Sequence, residues 1–275
     1  MLKKLLKYDL KYIFKYWWIA ALTSTALSFV GGGCITVLRS ERNLPEIVHV
    51  MSVLSFVFVF LGFMALAILT AILNFARFYQ NFFSDEGYLT FTLPVKTTQL
   101  LNSKIIMSTI AMVSTSILLA VNVLTMLAIG FADQLPDFFK SLSLGIEEIL
   151  KEISVGDIIY LITYLIEFII IGILSIVFSN MFLYCCITLG STVTKKAKVV
   201  TSIGIYYVAN MIFSTAIQIF MAFVIPSERF LNLPEESTLL IIALVMLVII
   251  LFLGILCTVL YTLQYWMLDR KLNLS

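Results

Sequence analysis

The chain has 275 residues, of which 61% are hydrophobic and only 12% charged, and its mean hydropathy is +1.06. Soluble globular domains do not tolerate that balance, so the composition excludes them and defines an integral membrane protein. The formal net charge of +2 is too small to imply a nucleic-acid partner.

The first 16 residues alternate Lys3, Lys4, Lys7, Lys11 and Lys15 with Leu2, Leu5, Leu6, Leu10, Ile13 and Phe14 at helical spacing. This pattern predicts an amphipathic helix lying in the cytoplasmic leaflet, with Trp17 and Trp18 as an interface belt at the turn into the first span. It serves either as an elbow bracing a partner or as a lipid anchor and topology signal. Because no short apolar core with a small-residue cleavage site follows, the first run reads as a retained span.

About 20 apolar residues cross a hydrocarbon core as a helix, and six runs qualify, at about 17–38, 48–75, 105–131, 158–184, 199–225 and 239–266. The predicted fold class is therefore all-α, a polytopic membrane protein of six transmembrane helices. Gly31, Gly32 and Gly33 near the end of the first run either loosen the helix or admit a close neighbour. They are not a phosphate loop, since no glycine in the chain precedes a lysine.

Between the second and third runs lies 77–104, RFYQNFFSDEGYLTFTLPVKTTQLLNSK. Phe82, Phe83, Tyr88, Leu89, Phe91 and Leu93 supply a greasy face, and Ser84, Asp85 and Glu86 a cap with favourable charge. Gly87 loosens the chain, Pro94 ends any helix, and Thr97 or Thr98 caps the next one. We read a lateral element at the membrane surface that offers a docking face to another protein.

The loop at 132–157 predicts an amphipathic helix after Pro136, with Phe138, Phe139, Leu142, Ile146, Ile149, Leu150 and Ile153 on one face. It lies over the outer mouth or on the outer leaflet, as a packing helix or as a lid. Lys195, Lys196 and Lys198 mark a short second cytoplasmic loop, either as topology signals or as a second partner contact.

Thirteen of the 18 Lys and Arg fall on one side of this arrangement, which places both termini in the cytoplasm. Cys34, Cys185, Cys186 and Cys257 fall in or beside apolar runs with no disulfide or metal spacing. Glu167 is the one acid within a run, about nine residues and so about 14 Å from its outer end. A carboxylate there faces the bundle interior or a wet cavity. It either recognises cationic or amphipathic cargo or makes a neutral contact between helices, with Asn122, Asn210 and Gln218 as candidate partners. One histidine and one intramembrane acid cannot supply a metalloprotease or paired-aspartate site, so no catalytic role is expected.

The string DEGYLTFTLPV, with Leu100-Leu101 and Ser103-Lys104 beyond it, resembles the first cytoplasmic loop of permease subunits of ABC transporters of the type-two exporter branch. Lys96 stands where that family has a small hydroxyl residue. The resemblance implies a coupling helix formed by Phe82 to Pro94 and docked on a separate ATP-binding subunit present in two copies. It also implies a second permease copy, most simply a homodimer, in a bacterial cell membrane. Under it the chain binds no cofactor of its own, ATP and Mg belong to the partner, and the cargo is exported, with an amphipathic or antimicrobial peptide as the leading class. An ATP-independent secondary transporter or channel is the alternative reading.

Overall fold

The computed structural model describes residues 2–40, 45–84, 87, 95–152, 155–194, 197–224 and 235–270. Among them there are seven helices and no strand: α1 (Leu2–Arg39), α2 (Glu46–Phe83), α3 (Thr97–Gly130), α4 (Leu135–Glu152), α5 (Val155–Val193), α6 (Lys198–Val224) and α7 (Glu235–Arg270). All but α4 are long and apolar enough to cross a membrane. The protein is thus an all-helical, multi-pass membrane protein.

All five prolines lie at positions 45, 94, 136, 226 and 234, outside the six long helices. Uninterrupted i→i−4 bonding is the result. Charges sit where the helix dipoles favour them, with Glu46, Asp137 and Asp157 in first turns and Arg39 in a last turn.

Three expectations are corrected at the helix ends. First, α1 is one unbroken helix, so the basic stretch is its first four turns and continues into the first span without a break. Nothing between Leu2 and Val30 is a glycine or proline that would turn the chain. Second, α2 continues past Arg77 to Phe83, taking up the first quarter of the segment expected to be a surface loop. Third, the carbonyl of Lys96 accepts the N–H groups of Gln99 and Leu100, so Lys96 stands at the N-cap of α3 and Thr97 is already helical.

The chain forms two compact units. One contains α1 from Lys3, α2 to Asn74, α3 from Ile110, and α4. Within it α1 and α3 run parallel and in register. The Trp17 indole N–H donates to Thr115 Oγ1 at 2.8 Å, the Asn122 amide to Ser24 Oγ at 3.0 Å, and the Thr125 hydroxyl to Ser28 Oγ at 3.1 Å. These rungs keep an almost constant offset in sequence, as two parallel helices sharing one stripe must. Thr115 joins three helices: its oxygen accepts from Trp17, it shares a hydroxyl–hydroxyl contact of 3.0 Å with Thr70 on α2, and its hydroxyl reaches the Ala111 carbonyl of its own helix. In an apolar surround, where helices gain little from burying one another, such polar rungs and small residues hold a bundle together.

Above the rungs the glycines take over. A Cβ on Gly32 would stand 2.6 Å from Ile129 Cβ and 3.0 Å from the Met126 carbonyl, so α1 and α3 nearly touch there. Gly31 faces Met126 and Val59, part of a small core with Phe63, while Gly33 has no neighbour within 4 Å. Of the two readings of this cluster, close approach holds at Gly31 and Gly32, and the helix is not broken. Arg39 closes the stripe. Its guanidinium donates to the Gly130 carbonyl at 2.9 Å, pairs with Asp133 at 3.1 Å and lies 4.4 Å from the centre of the Phe131 ring.

The other unit contains the end of α2 from Phe75, the start of α3 to Thr109, and α5, α6 and α7. Here α5 packs along both α6 and α7. Phe178 and Phe182 on α5 meet Phe213 and Tyr206 on α6 with ring centres 5.2 to 6.0 Å apart. The α5–α6 turn closes tightly: Gly190 lets the backbone at Ser202 approach within what would be 2.6 Å of a Cβ, and the Ser202 hydroxyl reaches the Ile187 carbonyl.

Candidate functional site

The end of α2 is enclosed, in contrast to the rest of that helix. No described residue from 73 to 87 is exposed, whereas earlier in the helix large apolar side chains such as Ile47, Phe58, Met64 and Ile72 are. Phe78 and Phe82 are fully buried. The Phe78 ring stacks on Tyr184 of α5, centre to centre 4.0 Å with planes 8° apart, and also lies 4.9 Å from Phe82. Tyr184 is fully buried as well, and it is followed by the buried Cys185, Cys186, Ile187 and Thr188. In the same unit α3 contributes the buried Leu100, Leu101, Ser103, Lys104, Met107 and Ser108.

The predicted docking residues are therefore divided. Phe82 is core, packed against the Phe78 ring that stacks on α5, and Phe83 is half-buried beside it. Ser84 follows the helix as a bend, its hydroxyl donating to the Gln80 carbonyl, and its own carbonyl accepts from the Gly87 N–H at 2.8 Å. Gly87 is buried, and a Cβ there would lie 2.9 Å from the Phe82 carbonyl oxygen. That glycine is required by close approach to the preceding turn. Asp85, Glu86, Tyr88, Leu89, Phe91, Leu93 and Pro94 lie outside the described residues.

The predicted cavity residues also separate. Glu167 on α5 is buried at 8% exposure, and its Oε2 has no hydrogen-bond partner. One turn earlier the Tyr164 hydroxyl donates to the Leu239 carbonyl of α7. Asn210 and Gln218, on α6, are exposed. Asn122 is fully buried in the other unit, where its amide is spent on Ser24 and its Oδ1 has no hydrogen-bond partner.

Three carboxamides outside the predicted set are also deeply buried: Asn74 on α2, with neither side-chain atom hydrogen-bonded, and two in the unit of Glu167. Gln264 on α7 is fully buried with neither side-chain atom hydrogen-bonded, and the amide nitrogen of Asn180 on α5 is buried in the same condition. Buried amides without partners are rare and costly in folded proteins. The signal that picks out Glu167 finds them too, since each is a polar residue inside an apolar run. Nearby on α5 and α7 Val177, Met181, Cys257, Thr258, Tyr261 and Thr262 line, with Asn102 and Ile105, an open groove of about 350 Å³. Its wall is mainly aliphatic and thioether surface with a few hydroxyls. All four cysteines are free thiols.

Six membrane-length helices, a buried carboxylate and unpaired carboxamides define the class as a polytopic helical membrane protein with a polar interior. Comparison with family models, with curated proteins and with solved structures finds no match to the chain.

Proposed function

We propose that this chain is the membrane-spanning permease subunit of an ATP-driven ABC exporter, with hydrolysis carried by a separate ATP-binding subunit. The observation that carries the reading is the DEGYLTFTLPV string between two spans. It is supported by where that string begins: it follows the end of α2, which has no exposed residue from 73 to 84 and is stacked on α5 through Phe78 and Tyr184. A partner pushing on 84–96 would move α2 and α5 together, because a close-packed contact transmits displacement instead of absorbing it.

In this mechanism two permease copies form the pathway and two ATPase subunits dock on the lysine-rich side, where both termini lie. ATP binding closes the ATPase pair, the loop carries that motion into α2, and the interior changes the side to which it opens. The chain makes and breaks no bond and holds no cofactor. Cargo of amphipathic peptide character fits the mainly apolar groove wall and Glu167.

The test is a pull-down of the full chain, co-expressed with its genomic neighbours in mild detergent, followed by an ATPase assay on what accompanies it. A stoichiometric ATP-binding partner that is lost on Glu86→Lys or Leu89→Asp, with membrane insertion intact, is the expected result. Absence of any such partner, together with transport by the purified chain alone, would replace the exporter with a secondary transporter or channel.

A further inference from the structure

The helix α4 is exposed nearly all round over most of its length. From Pro136 to Glu147 every residue but Gly145 is exposed, and a Cβ built on Gly145 would meet nothing within 4 Å. Yet the helix is strongly two-faced. Phe138, Phe139, Leu142 and Ile146 recur at three and four residues and so lie on one side, all of them exposed, while Asp137, Lys140, Ser141, Ser143 and Glu147 occupy the rest.

The attachment of α4 decides what covers that face. Only 131–134 separate α4 from α3, so its first turn stands within about 14 Å of the end of a membrane-length helix. The joint is fixed, because Arg39 binds the Gly130 carbonyl and the Asp133 carboxylate and lies on the Phe131 ring. Leu124 and Leu127, in the last two turns of α3, are exposed apolar side chains, so the span to which α4 is tied still presents apolar surface close to the joint. A helix tied in this way at the membrane surface, with bulky apolar groups on one side and charges on the other, meets the requirements for lying in an interface.

We propose that α4 is an interfacial anchor whose Phe138, Phe139, Leu142 and Ile146 enter the lipid leaflet at the Arg39 end of the bundle. The helix carries four acids and two lysines, so attraction to anionic headgroups does not hold it there. Apolar insertion does, and zwitterionic lipid suffices.

The test uses the full chain in phosphatidylcholine vesicles. Single cysteines at positions 137 to 147, in a background with the four native cysteines replaced by alanine, are spin-labelled. Their accessibility to oxygen, which concentrates in lipid, is compared with that to a water-soluble nickel chelate. The logarithm of the oxygen-to-nickel ratio is expected to be positive at 138, 142 and 146 and negative at 137, 140 and 147, with the period of a helix. Nickel access all round would overturn the proposal in favour of a helix free in water. Exclusion of both reagents from 138, 142 and 146 would overturn it in favour of a protein cover, whether a second copy or another chain. Should the alanine background not fold, a photoreactive phenylalanine at 142 or at 143 in the otherwise native chain answers the same question. A phospholipid adduct at 142 alone supports the anchor, and a protein adduct or none at 142 refutes it.

Discussion

Replacing Gly32 by alanine adds a single methyl group at the tightest point between α1 and α3. That methyl would lie 2.6 Å from Ile129 Cβ, about 0.8 Å inside the 3.4 Å at which ordinary contact begins, and 3.0 Å from the Met126 carbonyl oxygen. Neither atom can swing away: one is the branch point of a β-branched residue and the other is backbone. The two helices must therefore part. Overpacking of this kind costs about 1–3 kcal/mol, and parting them also strains the Ser28–Thr125 and Ser24–Asn122 rungs below. At about 2–4 °C per kcal/mol for a protein of this size, Gly32→Ala should lower the melting temperature by roughly 2–12 °C. Gly33 supplies the control, because a Cβ there meets nothing within 4 Å. Gly33→Ala removes only the helix penalty of glycine and should be neutral or stabilising by up to about 1 kcal/mol. Thermal unfolding in one detergent, followed by size-exclusion chromatography, measures both. Equal melting temperatures for the two variants would refute the packing argument.

Thr115→Val should destabilise by about 1–2 kcal/mol in the same assay, since it leaves the buried Trp17 indole without its acceptor. Ser116→Val, whose hydroxyl reaches only the Met112 carbonyl of its own helix, should be silent, and matching losses would show that the rung is not structural. Tyr184→Ala removes a fully buried ring stacked on Phe78 and should cost about 3–5 kcal/mol, read as a melting temperature or as loss of folded yield. If the end of α2 drives the bundle as proposed, Tyr184→Leu, which keeps much of the volume, should leave the ATPase partner bound while reducing the transport achieved per ATP. Unchanged coupling would confine Tyr184 to packing. Glu167→Gln keeps shape and hydrogen-bonding capacity, so the protein should fold normally while transport of cationic cargo falls relative to neutral cargo; an unaltered cargo profile would assign Glu167 a purely structural contact.

The six spans were legible because hydropathy over 20 residues is a strong signal, and the two-faced 135–152 helix because its period is clear. Helix ends were not. RFYQNFF at 77–83 carries an arginine and two amides and looks like the start of a loop, yet it remains helical. Burial of Phe78 and Phe82 holds it so, and tertiary packing, more than local preference, stabilises most helices in proteins. Trp17 and Trp18 look alike in sequence, but one is buried against Thr115 and the other faces outward. The interior was the least legible part. Spans such as α3, α6 and α7 are apolar on every side, so no stripe tells which face is turned inward. Asn210 and Gln218 thus looked as promising as Gln264, although only Gln264 of the three is buried.

With every proline outside the long helices, none of those rods carries the commonest built-in elbow. At 1.5 Å per residue α2 is about 57 Å long, so a tilt of about 5° pivoting on one tip swings the other by about 5 Å. If the chain works as the proposed permease, such tilting of whole helices is the simplest source of its stroke, with the give at the joints between rods. Stiffening a joint, for instance by a cross-link, should then arrest motion more effectively than any change made along a shaft.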